Sequence, residues 1–249
     1  MNHPARHRKR HHDRLKGIRL LYEDEDLIVL EKPAGLLTQA LRDPRIPSVE
    51  SVLTDYVRKG QWKSSKRVYL VHRLDRETSG VMLVAKTEAV QNTFRNNWNN
   101  LTEKTYLARV EGRLDAENGR LESRLVEDSD YHVHTTDDPT AGKQALTSWT
   151  CLAEITVNGR TETVVAATLH TGRKNQIRVQ FAEAGHPVVG DAKYGHAAAR
   201  DALCLHAWRL AFIHPRTHRR LAFETARPAF SLSAPDGTPP AAKSGSAGR

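Results

Sequence analysis

One carboxylate, Asp75, lies between two arginines, Arg73 and Arg76, in the stretch Val71–Ala85, VHRLDRETSGVMLVA. One ionised carboxylate is enough to act as a nucleophile. The same spacing also describes a turn residue or an ion-pair partner. A second chemistry-bearing stretch is Thr171–Arg178, TGRKNQIR. Arg173, Lys174 and Arg178 cluster there, where a strand ends at His170 and a helix runs to about Ala184. Lys174 and Arg178 are four apart and so would share a helical face. Cations at a helix start oppose the macrodipole, so the cluster calls for an anion, either Asp75 or a phosphate. The plain alternative is a solvated basic face. Lys32 projects beside the tight turn Lys32-Pro33-Ala34-Gly35. Alternation over Glu103–Val110 puts Lys104 and Tyr106 on one strand face, where a tyrosine most often simply packs.

These residues need a frame, and the patterning supplies one. Ile18–Tyr22 and Leu27–Leu30 read as strands joined by the acidic turn Glu23–Asp26. Ser48–Lys59 reads as a helix with Ser48 as N-cap, an apolar face of Val49, Val52, Leu53, Tyr56 and Val57, and Gly60 as its stop. Val68–Val71 and Val81–Ala85 read as strands, so Asp75 falls on a tight loop between rigid supports. A second helix starts at Thr87 and repeats Val90, Phe94 and Trp98 every four residues; Trp98 reads as core. Residues 111–140 read as loop with one short strand, Arg120–Leu125, and His132 and His134 read as surface histidines lacking further metal ligands. Gln144–Leu152 and Thr161–His170 read as strands around the turn Asn158-Gly159, and Leu203–Ile213 and Leu221–Thr225 close the sheet.

Composition limits the function classes. The chain has 249 residues, 39% hydrophobic and 27% charged, as a soluble globular protein would. Lys plus Arg is 38 against 29 acids, a net charge of +9 that favours a polyanionic partner, with nucleic acid ahead of a membrane surface. No run approaches the roughly 18 apolar residues of a membrane span, and the basic N-terminus lacks the apolar core of a signal peptide. Cys151 and Cys204 sit in apolar stretches and read as buried free thiols of a cytoplasmic protein. No P-loop, dinucleotide fingerprint or convincing metal constellation appears, so neither a cofactor nor a metal is expected. Residues 1–17 form a basic tail rich in His and Arg, suited to salt-dependent contacts with RNA phosphates rather than to a fixed metal site. A Pro-, Ala-, Ser- and Gly-rich tail follows Pro228, over 229–249.

His72-Arg73-Leu74-Asp75 with Thr78-Ser79-Gly80 resembles the signature of the RluA-type pseudouridine synthases. YEDEDLIVLEKPAGLL resembles that family's N-terminal motif, GRKNQIR its GRxHQIR motif, and GHPVVGDAKYG continues the likeness. The resemblance runs from about Ile18 to Pro228. It implies one catalytic domain over 18–228, of mixed α/β (α+β) type, with a largely antiparallel central sheet and packed helices. It also implies an RNA-modifying isomerase that turns a uridine of ribosomal or transfer RNA into pseudouridine without a cofactor. By the same likeness Asp75 is the nucleophile, Arg178 its partner and Tyr106 the ring over the target base. Arg73 then fills the place of a flipped-out uridine or holds the backbone, its plain alternative being a salt bridge. Lys32, Arg173 and Lys174 are then phosphate contacts. The departure is Lys174-Asn175, where the family commonly has a hydroxyl residue and histidine. No extra N-terminal S4 module and no obligate protein partner are expected, and a monomer is the default. Two other readings compete: a non-catalytic RNA-binding protein on the same scaffold, and a hydrolase using His72, Asp75 and Ser79, which lacks a GxSxG elbow.

Overall fold

The computed structural model describes residues 15–61, 63–195 and 202–232. The N-terminal tail up to residue 14 and the C-terminal tail from 233 lie outside these. Two boundaries shift relative to the sequence reading. Leu15 is already buried in the core, and Ala229–Ser231 forms a 3-10 turn.

Eleven strands and three helices make up the described fold. Strands β1 (Arg19–Glu23) and β2 (Leu27–Lys32) form a hairpin. Helix α1 (Val49–Arg58) follows, then β3 (Tyr69–Leu70) and β4 (Ser79–Ala85). Helix α2 (Glu88–Leu101) leads into β5 (Thr102–Glu111). Strands β6 (Asn118–Glu127), β7 (Val133–Thr136), β8 (Lys143–Val157) and β9 (Arg160–Leu169) form successive antiparallel pairs apart from the β7–β8 step. Helix α3 (Gln176–Glu183) precedes β10 (Leu205–Ile213) and β11 (Arg220–Glu224). The sheet runs β1-β2-β4-β10-β5-β9-β8-β6-β7, with β11 on β10 and β3 on β4. Among the described strands only the β4–β10 pair is parallel. The mixed, largely antiparallel α+β architecture is the one expected.

The apolar runs LIVL of β2 and VMLVA of β4 have no polar face because both faces are covered. Ile28, Leu30, Met82 and Val84 pack with Val49, Val52 and Leu53 of α1. Leu27, Val29, Val81 and Leu83 pack with Val90 and Phe94 of α2 and with Leu210 and Phe212. Ser48 caps α1 in a reciprocal box with Ser51, and Thr87 caps α2. A third cluster sets Ile177 and Phe181 of α3 against Ala108, Val110, Val165 and Ala167. Two differences are instructive. Strand β8 runs five residues past Leu152, and β7, which contains His134, carries too few apolar residues to announce itself.

The joint that places the Asp75 loop on the sheet is Gly80. Its φ is +115°, and a Cβ there would lie 2.1 Å from the Ala207 carbonyl oxygen, where β4 and β10 run parallel. Backbone on both sides leaves no flexible atom to yield. Gly80→Ala is therefore expected to destabilise the fold by about 2–4 kcal/mol, through both clash and positive φ. Urea titration checks this; an unchanged midpoint would contradict it.

Candidate active site

Asp75 sits on the loop between β3 and β4, and three anchors hold that loop. The Thr38 hydroxyl donates to the Leu74 carbonyl at 2.7 Å and receives the Leu74 amide at 3.2 Å. The Gly35 amide donates to the Arg76 carbonyl at 2.8 Å, and Arg76 Nε donates back to the Gly35 carbonyl at 3.1 Å. His72 Nε2 accepts the Leu83 amide at 2.9 Å. Burial, and then the Lys104 charge, push His72 down to about 3, so the ring is neutral and free to accept. It stacks on Trp98 at 4.6 Å.

The hydrolase reading fails on this geometry. His72 is spent on the backbone. Ser79 instead bonds His206 Nδ1 at 2.7 Å, and the other nitrogen of His206 meets the Thr225 hydroxyl rather than a carboxylate.

Arg178 stands on the first turn of α3 and reaches the Asp75 carboxylate with Nη1 at 3.0 Å. Its stronger tie is elsewhere. Nε and Nη2 grip both oxygens of Asp191 at 2.7 Å each. The Asp191 side chain is 0% exposed, Arg178 12% and Asp75 23%. Burial alone would lower the Arg178 guanidinium, but Asp191 first and then Asp75 raise it above its usual value. Asp191 is held low despite burial, by Arg178 and by the amides of Lys193 and Tyr194. Asp191 thus fixes the guanidinium plane and leaves Nη1 to face Asp75.

Tyr106 on β5 completes the group. Burial, and then the charge of Asp75, push its phenol above the usual tyrosine range, so the hydroxyl stays protonated near neutral pH. Arg73, Asp75, Thr78, Tyr106, Arg173, Asn175 and Arg178 line one cleft. The structure brings five of the seven residues singled out from sequence to that cleft: Asp75, Tyr106, Arg178, Arg73 and Arg173. Arg73 is exposed and has no ion-pair partner among the described residues, so the salt-bridge alternative finds none there. Arg173 is half-buried and donates from Nε to the Gln144 carbonyl at 2.9 Å.

Two residues need correction. Lys32 is 0% exposed, and its ammonium donates to the carbonyls of Pro33, Leu36 and Arg76 at 3.1, 2.7 and 2.9 Å. Burial lowers it to about 8 against the pull of Glu77 and Asp75. A lysine so enclosed does not reach a phosphate; it ties the turn at Pro33 to the Asp75 loop. Lys32→Met is expected to leave RNA affinity within about twofold while lowering stability, because buried carbonyls lose their donor at about 1–3 kcal/mol. A large loss of RNA affinity with unchanged melting would restore the phosphate role. Lys174 does not share a helical face with Arg178, because α3 begins only at Gln176. It pairs with Glu127 and donates to the Tyr131 carbonyl at 3.1 Å, on a neighbouring groove. That half-exposed ion pair contributes about 0–1 kcal/mol and yields easily.

Sequence reasoning missed Asn175, Asp191 and Tyr194. Asn175 Nδ2 donates to Asp75 Oδ2 at 2.7 Å, and the Tyr194 hydroxyl donates to Asn175 Oδ1 at 3.2 Å. The available signal was a carboxylate in the motif-like loop GHPVVGDAKYG, opposite a cation cluster that one Asp could not neutralise.

Cys204 is buried and Cys151 half-buried rather than buried. Asp128 joins His132 and His134 in a group with ligand-type atoms within 4.8 Å, as do Asp24, Asp26 and His214. Asp128 Oδ1 already accepts the amides of Asp130 and His132, and Arg216 pairs with Asp26. Neither group lines the cleft. No helix among the described residues is long and apolar enough to cross a membrane.

The family model for RNA pseudouridylate synthases matches residues 26–183. The chain is 31% identical over 208 residues to the dual-specificity RNA pseudouridine synthase RluA of Vibrio vulnificus, covering 80% of this chain and 79% of that one. It is 32% identical to tRNA pseudouridine synthase C of Haemophilus ducreyi, over 81% and 88% of the two chains. A solved structure, human RNA pseudouridylate synthase domain containing 1, shares the fold with a TM-score of 0.68 at 22% identity, over 86% and 85% of the chains.

Proposed function

The chain belongs to the RNA pseudouridylate synthase family and isomerises uridine in RNA; from that premise we propose that Asp75 is its nucleophile, Arg178 the cation that keeps Asp75 ionised, and Tyr106 the ring on which the target uracil stacks. The observation that carries this is the shared cleft, in which one carboxylate oxygen of Asp75 is tied to Arg178 beside the Tyr106 ring. The reaction breaks the bond from ribose C1′ to uracil N1 and forms one from C1′ to C5. N1 gains a proton and C5 loses one, so no redox partner and no leaving group are involved.

A uridine in folded RNA must leave its stack to reach Asp75, at a cost of a few kcal/mol that is smallest in loops. Arg73, exposed at the cleft, is the side chain assigned to the vacated space, and Arg173 to a phosphate. The Thr78 hydroxyl, at the wall of the same cleft, is buried without a hydrogen-bond partner among the described residues. The substrate is ribosomal or transfer RNA, and the enzyme works as a cytoplasmic monomer on this reading. A non-catalytic binder would not need an aspartate held in this way.

Tritium release from RNA labelled at uracil C5 tests the reading, with transfer and ribosomal RNA supplied separately. Release from one class names the substrate; release from neither, with tight binding intact, contradicts the reading. For Tyr106, the raised phenol argues for a ring rather than an ionised base. Tyr106→Phe is therefore expected to keep most of kcat, whereas Tyr106→Ala loses stacking of about 1–3 kcal/mol, roughly 5- to 150-fold. Equal loss in both variants would assign the work to the hydroxyl.

A further inference from the structure

Among the described residues the Asp75 carboxylate is held by one oxygen only. Oδ2 accepts from Asn175 Nδ2 at 2.7 Å and from Arg178 Nη1 at 3.0 Å. No described residue donates to Oδ1. Asn175 is itself fixed. Its amide oxygen takes the Tyr194 hydroxyl at 3.2 Å, so its NH2 must point toward Asp75. Tyr194 is held in turn by the Arg178 guanidinium over its ring at 5.2 Å.

Two features of the chain show that Asn175 is not placed for the fold alone. It occupies the N-cap of α3, where an asparagine usually spends its side chain on a free helix amide, and here it makes no cap bond. Its backbone is left-handed, with φ +54° and ψ 20°, a region that asparagine tolerates better than most residues. The turn aims the carboxamide away from the helix and at the carboxylate. The charged and titratable groups facing it are Asp75, Arg178 and Tyr194, with Asp191 behind Arg178; Arg73 and Arg173 line the same cleft, His132 and Lys193 pack on the Tyr194 ring, and the adjacent Lys174 is turned to Glu127.

We propose that Asn175, backed by Tyr194, is a positioning residue that commits Asp75 Oδ2 to the protein and leaves Oδ1 as the oxygen that meets the uridine. This rests on Asp75 being the nucleophile. Two donors on one oxygen fix the plane of the carboxylate as well as its charge, and neither donor is asked to touch RNA. Loss of Asn175 therefore acts on the chemical step and not on RNA binding.

The test is steady-state tritium release by the full chain, with thermal melting read alongside. Asn175→Ala is expected to lower kcat on the order of ten- to a hundredfold, with KM for RNA within about twofold. Asn175→Asp has the same shape but no donor when ionised. At about pH 8 it places a second carboxylate against Oδ2, and kcat falls below that of N175A. Toward about pH 5.5 the introduced carboxyl takes up a proton and donates again, so kcat of N175D rises relative to N175A. A merely structural role has no reason to produce that crossing. Should N175A fail to fold, Tyr194→Phe removes only the hydroxyl behind the amide; a several-fold loss in kcat at constant KM is then expected. Wild-type kcat in N175A or Y194F, a raised KM at unchanged kcat, or N175D tracking N175A at every pH overturns the proposal. Asp75→Asn separates the two levels. Release surviving in D75N removes the nucleophile itself, whereas inactive D75N beside fully active N175A removes only the positioning role.

Discussion

Asp75→Asn is expected to abolish tritium release, by at least about a thousandfold, while leaving the protein folded and RNA bound. The size follows from the proposed role of Asp75 as nucleophile. A nucleophile has no substitute in its own cleft, and its removal costs more than any single binding contact. The change is isosteric and one atom deep. Asp75 is 23% exposed, so the stability lost with its single bond to Arg178 is of the order of an exposed ion pair, about 0–1 kcal/mol. Arg178 keeps both bonds to Asp191 and so does not swing into the cleft. Removing a negative charge beside Arg73 and Arg173 also favours the polyanion, so RNA affinity should hold or rise. Activity and binding therefore part in one variant. Filter binding and tritium release on the same preparation check this. Release near the wild-type rate would mean another group attacks. Loss of RNA binding in step with activity would make Asp75 a folding residue of the loop.

Much of this was legible in the sequence because its causes are local. The runs LIVL and VMLVA announce strands buried on both faces, and the caps at Ser48 and Thr87 begin helices where short-range hydrogen bonding dictates. Asp75, Tyr106 and Arg178 were found through ordered motifs, not through proximity, which spacing alone did not give. What escaped is tertiary. Lys32 looks like a phosphate contact until its turn is folded against the Asp75 loop, when three carbonyls surround it. Lys174 and Arg178 look like neighbours on a helix until Asn175 takes a left-handed step and the helix starts after it. Asp191 and Asn175 lie 116 and 100 residues from Asp75 in the chain, so nothing in the local sequence of the HRLD stretch requires them. The carboxylate that matters most to Arg178 is thus one that no short pattern pairs with it.

That pairing makes Arg178 the residue whose loss is felt twice. Arg178→Met keeps an unbranched stem as far as about Nε and removes the guanidinium with its charge. It leaves Asp191, 0% exposed, without its guanidinium. Two backbone amides still donate to Asp191, yet a buried carboxylate stripped of its partner costs about 3–5 kcal/mol. Asp75 loses its cation in the same step, so activity should fall by at least about a hundredfold even where the variant remains folded. The pH dependence separates the two. Asp191 is held low in the fold, so its contribution is fully present above its unfolded value, near 4, and is lost as pH falls through the lower folded value. Wild type should therefore lose stability below about pH 4, and R178M should lose less there, since the pair it lacks is the one that titrates. Urea midpoints at neutral and acid pH measure this directly. Equal midpoints for the two proteins at neutral pH would show that Asp191 is satisfied by its amides alone. Adding Asp191→Asn to R178M removes the buried charge and should recover part of the stability but none of the activity. Recovery of both would mean that Arg178 serves the fold, and that Asp75 reacts without it.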